Sequence, residues 1–299
     1  MIRLLLLFCV FLVSCGKKII KGEEPLTTNQ QLVQEIDRIE KLLVWCAGFP
    51  AREVTSDCDG DGATYHGFVS LMSKSPINEV FWSKIIDEVG TPYRNANRVK
   101  NDNLDAFSRD QLLGVMEAST VSPVAKETLK KIWSYYEHTG KLCEPSSDNR
   151  CDMATSMVIL KKDIFNEKVT TWERQVDETT IRAEGLLSPE GYQTFLPVRK
   201  IMLHAKTNSL TQGYVNSFNA IYNKYPLNLY NRTVHTYLNK LGEEKYEEIK
   251  KDLIFCMKQF EKPSVNANWG WDRNVSCPLQ NGNVWGHDLV ALGKFLNQM

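Results

Sequence analysis

Residues 30–46 read QQLVQEIDRIEKLLVWC, and the apolar positions Leu32, Ile36, Ile39, Leu43 and Cys46 recur with a period near 3.6, the mark of a helix that buries one face. The charged and amide side chains between them leave the opposite face to water. The same periodicity predicts helices at 63–73, 76–89, 108–119, 124–138, 152–162, 211–224, 229–241, 243–261 and 285–297. Several open on capping signals: Ser75 before Pro76, Ser108 with Gln111 three residues on, and Ser122 before Pro123. Strand-like alternation is scarce, and residues 164–200, rich in Thr and broken by Gly and Pro, read as loop or short extended structure. An all-α fold with little or no strand follows, built from antiparallel helical hairpins joined by short turns. No linker interrupts residues 30–299, which are expected to form a single helical domain.

The 299 residues carry 36 basic and 36 acidic side chains and are 42% hydrophobic, which excludes a disordered tail, a collagenous repeat and a polytopic membrane protein. With a pI near 6.9 and no basic stripe, nothing would neutralise a run of phosphates, so no nucleic acid partner is expected. The charged run Glu243 to Asp252, with Glu247 four residues before Lys251, reads as a solvated helix face.

Residues 1–14 combine Arg3, an apolar run from Leu4 to Val13 and Ser14, the layout of a secretory signal peptide. The run is too short to cross a hydrocarbon core of about 30 Å. The junction Leu12-Val-Ser-Cys15-Gly16 resembles the lipobox of bacterial lipoproteins, in which the cysteine becomes the lipid-modified first residue of the mature chain. That resemblance implies a lipid on Cys15, a polar tether over 15–29, and the membrane as a partner through the lipid. Gly16, where an Asp would signal retention at the inner membrane, implies the outer membrane of the bacterial envelope. The mature chain is expected to be a monomer. Asn231-Arg-Thr233 and Asn274-Val-Ser276 match the glycosylation acceptor pattern, which carries no weight for a bacterial lipoprotein.

Six cysteines remain after Cys9 leaves with the signal and Cys15 takes the lipid: Cys46, Cys58, Cys143, Cys151, Cys256 and Cys277. In an exported chain they are expected to oxidise. Sequence-local pairing gives Cys46–Cys58, Cys143–Cys151 and Cys256–Cys277, each worth about 2–4 kcal/mol in the chain-entropy account, with other connectivities open. No Cys-x-x-Cys pair points to zinc.

Three polar clusters precede apolar helical runs. In Asp57-Cys-Asp-Gly-Asp-Gly-Ala-Thr64, carboxylates alternate between glycines. Asp57, Asp59, Asp61 and Gly62 match the opening of an EF-hand loop, although Phe68 stands where that loop needs a bidentate Glu, so calcium is an alternative cofactor in an otherwise cofactor-free reading. Close carboxylates also oppose one another's ionisation, which divides them into acid and base as glycan hydrolysis requires. A plain acidic cap on the next helix is the third reading. In Phe107-Ser-Arg-Asp-Gln-Leu-Leu-Gly114, capping accounts for Ser108, Asp110 and Gln111, while Asp105 lies four residues before Arg109 where the two could pair across the helix start. The polar, aromatic-bearing stretch 90–98 before it has the character of a binding loop. Near the C-terminus, Trp269, Trp271 and Trp285 interleave with Asp272, Arg273, His287 and Asp288. Indole faces with carboxylates and guanidinium groups suit sugar, and core closure is the bland alternative. No Gly-x-Ser-x-Gly elbow, His-Glu-x-x-His or phosphate loop occurs.

Taken together, 57–64, 107–114 and Trp285-Gly-His-Asp288 resemble a group of bacterial and phage proteins related to the six-hairpin (α/α)-toroid glycosidases. The resemblance implies a toroid, complete or partial, with its site at one end and acidic residues from helix starts as acid and base. Carried onto this chain, the catalytic candidates are Asp59 or Asp61 with Asp110. Arg109, Trp269, Asp272, Trp285, His287 and Asp288 are then substrate-binding candidates for a glycan ligand, and a non-catalytic binding or scaffold lipoprotein is the alternative.

Overall fold

The apolar positions Leu32, Ile36 and Ile39 form the buried stripe of the first helix, α1 (Thr28–Leu42), opened by a capping box in which Thr27 and Gln30 exchange side-chain and backbone hydrogen bonds; the helix stops before Cys46, which pairs in a two-residue strand instead of continuing the stripe. The computed structural model describes residues 25–43, 45–46, 49–50, 62–93, 96, 107, 109–140, 161, 165–188, 192–261 and 286–299. Among these residues the helices continue with α2 (Gly62–Ser73), α3 (Glu79–Lys84), α4 (Arg109–Ser119), α5 (Pro123–Thr139), α6 (Thr171–Leu187), α7 (Tyr192–Lys206), α8 (Gln212–Lys224), α9 (Leu229–Leu238), α10 (Glu243–Gln259) and α11 (His287–Leu296). The only strands described are two-residue pieces, β1 (Trp45–Cys46) and β2 (Phe49–Pro50), paired antiparallel. The fold is all-α.

Two expectations need correction. Residues 164–200 are mostly helix, because α6 and α7 bury stripes that carry polar residues. The buried positions of α6 are Asp177, Ile181 and Gly185, and those of α7 include Arg199, Lys200 and His204 around an internal Pro197. A hydrophobic period is invisible there; only the capping box of Thr170 and Glu173 announced α6. The segment 76–89 holds only the short α3, which starts at Asn78 in a left-handed conformation without a side-chain cap, not at Ser75-Pro76. It ends where Asp87 accepts the Val89 and Thr91 amides and turns the chain so that Ile86 bridges Pro92. The helix expected at 152–162 lies outside the described residues apart from Lys161.

The helices sort into inner and outer sets. Of the inner set, α2 is buried from Gly62 to Met72, α4 from Asp110 to Ala118, and α11 along all but Lys294. Neighbouring inner helices pack α11 on α2, α2 on α4, α4 on α7, α7 on α9 and α9 on α11, so the chain of contacts closes on itself. Outside it, α1 covers α10 and α11, α3 and α5 pair beside α4, α6 and α8 cover α7, and α10 covers α9.

Named contacts fix the direction of several of these helices. Tyr65 stacks on His287 at 5.0 Å near the starts of α2 and α11, while Gln298 donates to the Ser73 carbonyl at 2.7 Å where both end, so the two run parallel. Phe195 meets Tyr230 at 4.6 Å near the starts of α7 and α9, and Lys206 lies 4.8 Å from the Tyr237 ring near their ends. Outer helices α6 and α1 run the other way: Lys200 reaches Glu184 at 3.0 Å and His204 reaches Asp177 at 3.3 Å, so α6 and α7 form an antiparallel hairpin, and Gly286 and Gly293 of the last helix lie against Leu43 and Ile36 in reverse order along α1.

At the α2–α4 crossing the backbones touch. A Cβ on Gly67 would overlap the Gly114 carbonyl, and one on Gly114 would overlap the Ala63 carbonyl, so both positions require glycine for close approach. Beside this crossing Arg199 donates to both carboxylate oxygens of Glu117, to Thr64 Oγ1 at 2.8 Å and to the Thr64 carbonyl at 2.8 Å. The guanidinium also lies 5.0 Å from the Phe68 ring and 5.4 Å from the Phe195 ring. One fully buried ion pair thus joins α2, α4 and α7.

The charged face of α10 is not wholly solvated, as it was expected to be. Lys250 is buried and donates to Glu247 and to Asn29 of the first helix, each at 2.9 Å. Cys256, on the same helix, is buried and disulfide-bonded; its partner is not among the described side chains, since Cys58, Cys143, Cys151 and Cys277 and the side chain of Cys46 lie outside the description.

Candidate functional site

The parallel sense of the inner helices gathers their starts at one end, and the described parts of the three polar clusters lie there. Gln111, in the first turn of α4, accepts the Thr64 amide of α2 at 3.3 Å, and Tyr65 of α2 stacks on His287 of α11. Residues 47 and 222 positions apart in sequence become neighbours. Asp110 (7% exposed), His287 (4%) and Asp288 (6%) therefore occupy first turns that each lie against the start of α2, where the positive end of a helix dipole favours a carboxylate. Asp288 Oδ1 accepts the Leu289 amide at 3.1 Å. Gly286 admits this start of α11 through a left-handed turn (φ 84°) pressed against Ile39, Leu43 and Phe260.

Several candidates fall outside this description. Asp57, Asp59, Asp61, Trp269, Asp272, Trp285 and Cys15 lie outside the described residues, as does the Arg109 side chain, although Arg109 is the first residue of α4. Asp105 and Ser108 lie outside as well. Among the described residues no group of three or more His, Cys, Asp or Glu side chains could hold a metal ion, and no helix is long and apolar enough to cross a membrane.

Sequence reasoning passed over His66, one position beyond Tyr65. Its ring stacks on Phe81 at 4.5 Å and meets Trp82 edge-on at 6.0 Å. Burial, helped by the nearby His287, pulls the imidazole down to about 3. The folded protein therefore holds His66 neutral where an unfolded chain, titrating near 6.5, takes up a proton. The folded pKa is depressed, so stability is intact above the unfolded value and is lost as pH falls from about 6.5 toward 3. Linkage sets the loss at about 2 kcal/mol by pH 5. Urea titrations at pH 7 and pH 5 should show wild type losing this much more than His66→Leu.

A second cluster sits at the opposite end of α7. His204 bonds Ser209 Oγ at 2.8 Å through Nδ1 and Asp177 Oδ2 at 3.3 Å through Nε2, and Tyr214 donates to the same Asp177 oxygen at 2.6 Å. The order Asp-His-Ser is that of a hydroxyl-activating relay, yet Ser209 is buried and its amide donates to the His204 carbonyl, closing the helix beyond left-handed Asn208. The arrangement clasps α6, α7 and α8 together. Burial and the Asp177 charge push the Tyr214 hydroxyl far up, so it stays a donor at any ordinary pH.

No known protein family, curated protein or solved structure matches this chain.

Proposed function

We propose that this chain is a lipid-anchored protein of the bacterial envelope, probed best as a glycan-binding hydrolase whose site lies at the common starts of the inner helices. One observation carries the reading: Asp110, His287 and Asp288 come from motifs far apart in sequence and share one end of a set of parallel, buried helices. Inner helices running one way, with outer helices returning antiparallel, is the arrangement of an (α/α) toroid and supports the resemblance to the toroid glycosidases. In this reading Asp110 and one of Asp59 and Asp61 divide acid and base roles at the starts of α4 and α2. Arg109, Asp272, His287 and Asp288 take sugar hydroxyls, and Trp269 and Trp285 stack on the rings. The lipid on Cys15 holds the protein at the outer membrane, where the substrate is envelope or imported polysaccharide.

The test is reducing-sugar release from a panel of envelope and plant polysaccharides, with binding measured in parallel. Asp110→Asn is expected to lower turnover by about a hundredfold or more, as loss of a general acid or base does, with the melting temperature little changed. The low exposure of Asp110, His287 and Asp288 favours one rival, a closed scaffold in which these groups only cap helices. In that case Asp110→Asn lowers stability and no glycan in the panel binds.

A further inference from the structure

We propose that the end of the fold where the inner helices finish lies against anionic phospholipid headgroups, so that the candidate site opens away from the bilayer. This rests on the reading of Cys15 as a lipid anchor. The direction of α1 carries the argument. Ile39 and Leu43, toward its end, press on Gly286 at the candidate site, while Ile36, a turn earlier, meets Gly293 further along α11. The first turn of α1 therefore lies beside the ends of the inner helices. As α1 is about 22 Å long, the tether leaves the body that far from the candidate site. From Cys15 to Thr27 a relaxed chain spans about 20 Å, which keeps the end it leaves from next to the bilayer. The tether itself carries Lys17, Lys18 and Lys21 close to the anchor, the cations that an anionic leaflet attracts.

That end is closed by short turns. The chain passes from α2 to α3 through 74–78, from α4 to α5 through 120–122, from α7 to α8 through 207–211 and from α9 to α10 through 239–242. These turns and the last residue of α7 supply Lys74, Lys206 and Lys240, none of which makes an ion pair among the described residues. Lys206 Nζ lies 4.8 Å from both the Tyr237 and Phe295 rings, buried and without a hydrogen-bond acceptor. Burial, and then the charge of Lys74, pulls its ammonium down to about 8. Two cations gathered without a counter-charge repel one another, and headgroup phosphates at this end relieve that repulsion. The carboxylates here are Glu79, Glu243 and Glu244, on the first turns of outer helices at the rim, and the C-terminal carboxylate of Met299. Exposed Leu26, Val80 and Trp172 stand at the same end, beside or within the first turns of α1, α3 and α6, where an apolar side chain or an indole settles at headgroup level.

Co-sedimentation of the mature chain carrying Cys15→Ser with phosphatidylcholine vesicles, made with and without phosphatidylglycerol, tests the surface apart from the anchor. Binding is expected only with phosphatidylglycerol. It should weaken about tenfold or more in Lys74→Gln with Lys240→Gln, since each lysine at an anionic surface contributes about fivefold. Lys41→Gln with Lys258→Gln, both exposed at the candidate-site end, should bind as the parent does. In the full lipid-bearing chain on the same vesicles, Lys74 and Lys240 should be shielded from an amine-acylating reagent that still reaches Lys41 and Lys258. No binding, equal binding to neutral vesicles, equal losses in the two double variants, or shielding of Lys41 and Lys258 instead would each overturn the proposal. The mass of the Cys15 peptide reads the anchor on its own, so an unmodified Cys15 refutes the lipid while vesicle binding still decides the surface.

Discussion

Gly114→Ala is expected to cost about 3 kcal/mol or more and to lower the melting temperature by roughly 10 °C, the upper end of what overpacking does. The added methyl meets the Ala63 carbonyl and the Thr64 Cα, both backbone atoms of a helix buried on every side, so no rotamer change relieves the overlap. Separating α2 from α4 also drags Thr64 from Arg199 and from Gln111, which couples the crossing to the ion pair and to the candidate site. Gly67→Ala should act similarly because its Cβ would overlap the Gly114 carbonyl. Gly242→Ala, where nothing lies within 4 Å of the new atom, is the control and should shift the melting temperature little. Thermal melts followed by circular dichroism read all three, and a Gly114→Ala protein as stable as wild type would refute the crossing.

The second large effect lies at Glu117 and Arg199. Both side chains have no exposed surface, so removing one leaves the other as an uncompensated buried charge, a loss of about 3–5 kcal/mol. Arg199→Met should therefore be severely destabilised, whereas Arg199→Met with Glu117→Gln should recover a good part of the loss, because no ion is then stranded. The pH dependence has a definite sign. Burial pushes the Glu117 carboxyl up even beside Arg199, and without the guanidinium it rises further. A carboxyl raised in the folded state takes up its proton before the unfolded chain does, so the Arg199→Met deficit should shrink as pH falls. Urea titration of the two variants across pH measures this, and strictly additive losses would mean that the pair is not coupled.

Where the sequence was legible, ordinary amphipathic physics was at work. The stripe of α1 at Leu32, Ile36 and Ile39, the Ser122-Pro123 start of α5 and the periodic runs of α8, α9 and α10 gave boundaries within a few residues of those found. Where it was not, a polar residue held a core position because its partner came from a distant helix. Asp177, Arg199 and His204 look like surface residues until Tyr214, Glu117 and Ser209 are set beside them, and these come from other helices and a turn. The nearly uniform burial of α2 blurs its period for a related reason, since a helix enclosed on all sides has no polar face to alternate with. At the candidate site, Asp110, His287 and Asp288 were identifiable from the polar clusters that open their helices. Tyr65 and His66 were not, because two aromatic residues inside an apolar run read as core, and only the start of α11 beside them gives them another context.

The five histidines supply the most direct measurement, because they are spread over the molecule: His66 and His287 at the starts of inner helices, His138 near the end of α5, His204 in the clasp at the far end of α7, and His235 on α9. Ring resonances of the selectively labelled protein would be followed while soluble envelope oligosaccharides are added. If the inner-helix starts are the glycan site, His287 and then His66 shift with saturating titrations while His138 and His204 stay in place. Saturating shifts at His138 or His204 with His287 unmoved would contradict the account, and so would a spectrum that no oligosaccharide changes.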